Sequence, residues 1–144
     1  FSKISLKDYI ENIAEVTHRS FQDNNKVVNL SYKVDDVHLD MAKAIPLGLM
    51  ISEILINAHK HAFNHSENGS IKILSSIEDE KMLMKISDNG SGIPKDIDLS
   101  KSNSLGMTLV NSFSDQLKAD LKINSNSKGT RFEFSIPIQS IISD

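Results

Sequence analysis

The strongest pattern of apolar and polar residues lies near the middle of the chain and predicts a long helix. Apolar residues recur at helical spacing from about Ala42 to Phe63. They form one stripe, made of Ile51, Ile54, Leu55, Ala58 and Ala62. Because proline is tolerated only near the start of a helix, Pro46 predicts that the regular helix begins near Ala44 or Ile45. The opposite side is polar and carries Glu53, Asn57, Lys60 and Asn64, with His61 at its margin.

The pattern elsewhere predicts further helices alternating with hairpins. Ser5 to Asp8 resembles a capping box and opens a helix that ends near Phe21. Val27–Val34 alternates as a strand does, and Leu105–Leu117 predicts another helix. Two hairpins are expected, Ser70–Ile77 with Lys81–Ser87 and Ala119–Asn124 with Thr130–Ile136. This order predicts an α+β fold: a two-layer α/β sandwich in which helices cover one face of a mixed, mostly antiparallel sheet.

Composition narrows the class of protein without revealing its chemistry. The 144 residues are 39% hydrophobic and 24% charged, as expected of one soluble domain spanning 1–144. A net charge of −3 with dispersed lysines predicts neither nucleic-acid binding nor direct membrane contact. No apolar run reaches the roughly 20 residues of a membrane span. The absence of cysteine excludes disulfides and thiolate metal sites. Since the chain begins at Phe1, we expect it to be part of a longer protein.

A glycine-bearing segment, Asp88-Asn89-Gly90-Ser91-Gly92, follows the second strand of the first hairpin. Its glycines allow positive φ angles and a close approach of ligand to backbone. The carboxylate of Asp88 only accepts hydrogen bonds, which suits a donor such as the exocyclic amine of adenine. The alternative is that Asp-Asn-Gly forms an ordinary turn.

The polar side of the long helix has residue types that suit a metal ion and phosphates. The carboxamide oxygen of Asn57 could ligate Mg²⁺, and Glu53, one turn earlier, could orient or deprotonate a nearby water. Lys60 could pair with phosphate oxygens. Gly106 lies at the start of a later helix, where free backbone N–H groups can hold phosphate. Each of these residues taken singly also fits a solvated helix face or an ordinary helix entry.

The order and spacing of these motifs resemble the GHKL ATPase superfamily, which includes histidine kinases, DNA gyrase, heat-shock chaperone ATPases and mismatch-repair ATPases. The segments that carry the resemblance are Glu53–Phe63 (the N box), Asp88–Pro94 (G1), Ser104–Val110 (G2) and Gly129–Phe132. Pro46-Leu47-Gly48-Leu49 and Ser104-Leu105-Gly106-Met107 are most similar to the HWE-related class of sensor histidine kinases. The resemblance covers about 42–137.

The resemblance implies a Bergerat-fold catalytic domain that binds ATP and Mg²⁺. Asp88 would hold adenine, Asn57 would ligate the metal, and Lys60 and His61 would lie near the phosphates. Glu53 would be the catalytic residue. The remaining expected nucleotide-binding residues are Gly90, Gly92, Ile93, Leu105, Gly106, Met107 and Thr130. Two features depart from the common pattern: Ser104 replaces the first glycine of G2, and only Ile93 to Asn103 separate G1 from G2, so the nucleotide lid should be short.

The implied function is transfer of the γ-phosphoryl group of ATP to a histidine on a dimerisation domain of the same or a partner protomer. A response regulator would receive it next, in the cytoplasm, whether or not the parent protein is membrane-anchored. His18 does not match the expected acceptor motif and is interpreted as an ordinary helix residue. Two alternatives remain: a free-standing anti-sigma-factor serine kinase and a degenerate nucleotide-binding interaction module.

Overall fold

The computed structural model describes residues 3–21, 27–63, 68–93 and 105–143, without the side chains of residues 61, 62 and 105. The strands are β1 (Lys3–Ser5), β2 (Val27–Val34), β3 (His38–Asp40), β4 (Asn68–Glu78), β5 (Lys81–Asp88), β6 (Asp120–Asn126) and β7 (Gly129–Pro137). The helices are α1 (Leu6–Ser20), α2 (Met41–Asn57) and α3 (Leu105–Gln116). A π-helical segment, Ala58–Ala62, continues α2, and a 3-10 turn, Ile138–Ser140, follows β7.

The main sheet has five strands in the order β2-β4-β5-β7-β6. Only β2 and β4 run parallel; the other three pairs are antiparallel, and β1 pairs with β3 in a separate two-stranded ribbon. Every second residue of the central strands is buried against the helices, and the intervening residues face outward. This is the mixed, mostly antiparallel sheet with one covered face that the sequence predicts.

The core lies between α2 and the inner face of the sheet. The sheet contributes buried residues at every second position, namely Ile71, Ile73, Met82, Met84, Ile86, Phe132, Phe134 and Ile136. The helix contributes Leu47, Met50, Ile51, Ile54 and Leu55. α1 crosses α2 closely, because a Cβ on Gly48 would lie 2.0 Å from the Tyr9 hydroxyl oxygen. The Tyr9 hydroxyl donates a hydrogen bond to the carbonyl of Ala44.

The predicted start of α2 near Ala44 or Ile45 is wrong. The helix begins at Met41, and Asp40 caps it by accepting a hydrogen bond from the Ala42 N–H. Pro46 therefore lies inside the helix, where it cannot donate to the carbonyl of Ala42. Ala42 is exposed, so water can reach that end of the helix, and the ring of Pro46 is buried in the core.

The other boundaries follow the predicted pattern with small shifts. Ser5 accepts from the Asp8 N–H at 3.2 Å, as the capping-box pattern predicts. The β4–β5 turn consists of Asp79 and Glu80, which both have positive φ. The last turn is tighter than the predicted Ser125–Gly129, because β6 continues to Asn126. The stretch Met41–Lys60 also meets length and hydropathy criteria for a membrane span, which is weak evidence because half of its most apolar window is buried in this fold.

Candidate nucleotide-binding site

Asp88 is the last residue of β5, and its side chain points to the helix-covered face of the sheet. It follows the buried Met82, Met84 and Ile86 at alternate positions of that strand. Its Oδ1 accepts hydrogen bonds from the backbone N–H groups of Gly90 (2.9 Å) and Thr130 (3.3 Å). Its Oδ2 has no partner within the described parts of the chain. The carboxylate is thus held in place by two donors and retains one oxygen for a ligand donor.

The surroundings of Asp88 disfavour its charge in the absence of a ligand. Burial raises the pKa of Asp88, and the N–H groups of Gly90 and Thr130 only partly counteract that rise. A ligand that donates a hydrogen bond to this carboxylate would restore solvation that the fold removes. A partly buried carboxylate with a raised pKa is a typical feature of functional sites.

The loop after Asp88 is fixed against the β6–β7 hairpin. Gly92 has φ +81°, and a Cβ there would lie 2.0 Å from the Asn126 carbonyl oxygen. The Ile93 N–H donates to the Ser125 hydroxyl at 2.7 Å, and that hydroxyl lies 3.0 Å from the Thr130 hydroxyl. Only a glycine fits at position 92. Gly90 does not use this freedom; its φ is not positive, and its N–H closes a turn onto Asp88.

Gly129 lets β7 pass close to the backbone of Asp88. Its φ is +144°, and a Cβ there would lie 2.0 Å from the Asp88 carbonyl oxygen. The register pairs Asp88 with Thr130, whose side chain is buried. The last sequence motif therefore forms one wall of the Asp88 site.

A second group of predicted residues meets where α2 contacts α3. A Cβ on Gly106, in the first turn of α3, would lie 3.0 Å from Glu53 Oε2 and 3.7 Å from both amide atoms of Asn57. The two oxygen-bearing side chains therefore converge on a glycine, where a larger residue would crowd the Glu53 carboxylate. Lys60 is exposed just beyond them.

The π-helical segment links the two groups. It follows Asn57 directly and ends before Phe63, whose buried ring would lie 2.2 Å from a Cβ on Gly69. Gly69 adjoins Ser70, which exchanges hydrogen bonds with Asn89 at 2.7 and 3.3 Å. Asn89 follows Asp88, so the end of the long helix is anchored over the end of the sheet that carries Asp88. Short π-helical segments occur often at functional sites.

A small aromatic cluster packs behind this segment. The His59 ring stacks on Phe21, with centroids 5.4 Å apart and planes 5° apart, and it lies 5.6 Å from the His18 ring. Burial, with a smaller contribution from His18, lowers the pKa of His59 to about 4. His18 therefore packs as a side chain of α1 against the end of the long helix.

The described part of the chain brings most predicted site residues into two adjoining groups. One contains Asp88, Gly90, Gly92, Ile93 and Thr130, and the other contains Glu53, Asn57 and Gly106. Met107 differs because its side chain is buried in the core. The side chains of His61 and Leu105, Ser104 and the short lid after Ile93 lie outside the described residues.

Sequence reasoning missed the residues that position the site. Ser125 holds the Ile93 N–H, Asn89 holds Ser70, and Phe63 packs over Gly69. The only local signal for any of these three residues is the dipeptide Asn89-Gly90, because Asn-Gly is a common turn sequence.

Comparison with known proteins identifies the family to which this fold belongs. Residues 42–140 match the family of histidine kinase-, DNA gyrase B- and HSP90-like ATPases. The chain belongs to this family, whose members are named for their use of ATP.

The curated proteins to which the chain is similar include histidine kinases. The chain is 29% identical over 136 residues to blue-light-activated histidine kinase 2 of Erythrobacter litoralis, covering 94% of this chain and 39% of that protein. It is 30% identical to sensor protein kinase GraS of Staphylococcus aureus, covering 99% and 44%. The chain thus spans less than half the length of these relatives.

Solved structures show the same fold. The histidine kinase domain of the Erythrobacter litoralis EL346 blue-light activated histidine kinase superposes with a TM-score of 0.87 at 28% identity, covering 94% of this chain and 62% of that one. The catalytic domain of histidine kinase ThkA superposes with a TM-score of 0.73 at 20% identity, covering 95% of both chains. The second likeness supports the fold alone.

Proposed function

We propose that this chain binds Mg²⁺-ATP and transfers the γ-phosphoryl group to a histidine on a helical domain outside these 144 residues. The observation that carries the proposal is the convergence of Glu53 and Asn57 beneath Gly106, on a helix anchored over the Asp88 end of the sheet. In the full pathway a response regulator would take the phosphoryl group from that histidine. Because its substrate is ATP, we assign the domain to the cytoplasm.

The donor set fits the proposed ligands. Asp88 has one held oxygen and one oxygen free to accept from the adenine amine. Mg²⁺ in nucleotide sites takes few protein oxygens and completes its shell with phosphates and water. Asn57 and Glu53 supply such oxygens without forming a closed cage, and in the described parts of the chain no cluster of three acidic or histidine ligands exists.

Catalysis would rest on positioning and on neutralisation of phosphate charge. Bound Mg²⁺ would supply the charge that balances the phosphate oxygens. Asn57 would hold that ion, Gly106 would leave space for the phosphates, and exposed Lys60 would approach them from solvent. Glu53 would orient the attacking imidazole by accepting a hydrogen bond from its N–H.

The binding half of the proposal can be tested by calorimetric titration with a non-hydrolysable ATP analogue, with and without Mg²⁺. We expect Asn57→Ala to abolish the gain in affinity that Mg²⁺ provides and to spare the Mg²⁺-independent part. Asn12→Ala, on the exposed side of α1, is the matched control. Absence of binding by the unmodified chain at millimolar nucleotide would refute the proposal.

The transfer half can be tested with radiolabelled ATP and the acceptor domain supplied as a separate polypeptide. We expect phosphate on that domain that is labile in acid and stable in base, as phosphohistidine is. Replacement of the acceptor histidine should abolish labelling. Acid-stable label on a serine would instead support the serine kinase alternative.

A further inference from the structure

α2 carries an apolar stripe that the core does not use. Six large hydrophobic side chains are exposed in the described parts of the chain, and three lie on this one helix: Met41 (42% exposed), Ile45 (52%) and Leu49 (47%). They are spaced four residues apart and so form one continuous row. The other three, Val16, Val27 and Leu74, lie on three separate elements. We call Met41, Ile45 and Leu49 the α2 stripe.

No charge interrupts the α2 stripe on its own helix. Lys43 is the only charged residue of α2 before Glu53, and its ammonium donates to the carbonyl of Ile142 at 2.9 Å and to that of Gln139 at 3.4 Å. The ammonium of Lys43 is therefore hydrogen-bonded to the C-terminal segment. Partly buried Ile56 extends the apolar face toward the end of the helix.

The α2 stripe leads directly into the candidate site. The row continues with Glu53 and then Asn57 at the same four-residue spacing, and each step rises about 6 Å along the helix. Ile45 therefore lies about 12 Å before Glu53 along the helix axis. About two turns of a second helix, lying beside α2, would span this distance. Each four-residue step also turns the row about 40° around the helix, so a segment docked on Ile45 and Leu49 would have Glu53 at the margin of its next turn.

We propose that the α2 stripe docks the apolar face of the helix that carries the phosphoacceptor histidine. An amphipathic helix with apolar residues at i, i+3, i+4 and i+7 is the natural partner of such a row. The proposal rests on the proposed function and adds the place on this chain where the protein substrate binds. It also accounts for an exposed apolar row that ends at the proposed catalytic residue.

The size of the stripe favours this occupant over a permanent partner. Three aliphatic side chains that are each about half exposed present on the order of 300 Å², against the roughly 800 Å² per partner that a standard stable interface buries. A contact this small suits a segment that must dock for transfer and then leave. It is too small to hold two copies of the chain together by itself.

The test uses Leu49→Gln and Ile45→Gln, with Leu74→Gln as matched control. Leu74 is also exposed (39%), but on the open face of the sheet. We expect each stripe variant to raise KM for the separately supplied acceptor domain about five- to tenfold, because a half-exposed aliphatic side chain loses its burial. The affinity for the ATP analogue and kcat at saturating acceptor should not change, and Leu49→Met should restore KM.

Docking is also measured without chemistry, by fluorescence anisotropy with an acceptor domain whose histidine is replaced by alanine. Weaker docking of both stripe variants, but not of Leu74→Gln, supports the proposal. Docking by the unmodified chain with no phosphotransfer would refute the proposed function and leave the docking surface standing. Unchanged KM and unchanged docking in the stripe variants would overturn the docking proposal alone. Sedimentation showing self-association that the variants abolish would assign the stripe to a second copy and also overturn it.

Discussion

Replacement of Asp88 by asparagine separates the stability of the fold from the binding of nucleotide. In Asp88→Asn the carboxamide oxygen can still accept from the N–H groups of Gly90 and Thr130. In the unmodified protein these groups lie 2.9 and 3.3 Å from Oδ1. The position of Oδ2 would carry an NH₂ group, which cannot accept from the adenine amine. A charge-assisted hydrogen bond contributes about 1.5–3 kcal/mol, so the analogue should bind about 10- to 150-fold more weakly.

The same substitution should not destabilise the unliganded protein. Burial raises the pKa of Asp88, so the native state binds its proton more tightly than the unfolded chain does. The stability that this proton provides is present below the unfolded pKa of about 3.9 and is lost as pH rises through the folded pKa. Above the folded pKa the ionised carboxylate is a cost that the neutral carboxamide lacks, so at pH 7 the variant should have an equal or higher Tm.

The assay combines calorimetric titration with thermal unfolding at pH 4 and pH 7. The stability of the variant relative to the unmodified chain should increase from pH 4 to pH 7. Asp120→Asn, on exposed β6, is the matched control and should change neither quantity. A threefold or smaller change in affinity, or a lower Tm at pH 7, would refute the role that we assign to Asp88.

Three further substitutions test how the site is built. Gly129→Ala should lower the free energy of unfolding, measured with urea, by about 2–4 kcal/mol, because φ is +144° and the new Cβ would meet the Asp88 carbonyl. A decrease of less than about 0.5 kcal/mol would contradict this. Ser125→Ala should speed hydrogen exchange of the Ile93 amide and weaken analogue binding about three- to tenfold, whereas unchanged exchange would show that the 2.7 Å bond does not hold the loop. The unmodified chain should lose stability as pH falls from about 6.5 toward the lowered pKa of His59, about 4, since the unfolded chain takes up that proton first. In His59→Gln this loss of stability should be about 1–2 kcal/mol smaller, a figure reduced for the partial exposure of the ring. Identical acid unfolding profiles for the variant and the unmodified chain would contradict the lowered pKa of His59.

The fold follows closely from local patterns because each main element has a strong periodicity. Val27–Val34 is a strand with the predicted bounds, and the capping pattern at Ser5 places the start of α1 correctly. The start of α2 was mispredicted because the rule for proline considers the lost hydrogen bond alone. Here Asp40 caps an exposed first turn, and the buried ring of Pro46 adds to the core.

The residues of the candidate site could be picked out from the sequence, but the contacts that hold them could not. Asp88, Asn57 and Glu53 stand out because their side chains suit a known ligand chemistry at a defined spacing. Ser125 acts on Ile93 across 32 positions, and no local pattern reports such a contact. The π-helical segment is hidden for a similar reason, since one widened turn leaves the apolar periodicity nearly unchanged.

The central claim is that the two adjoining groups of residues bind one Mg²⁺-nucleotide. Titration of isotopically labelled protein with the ATP analogue, followed by amide resonances, tests it directly. We predict that the Ile93 and Thr130 amides and the Gly106 amide and Asn57 carboxamide will shift with one shared Kd. Removal of Mg²⁺ should diminish only the shifts at Gly106 and Asn57. Two separate affinities, or a response at one group alone, would contradict the claim.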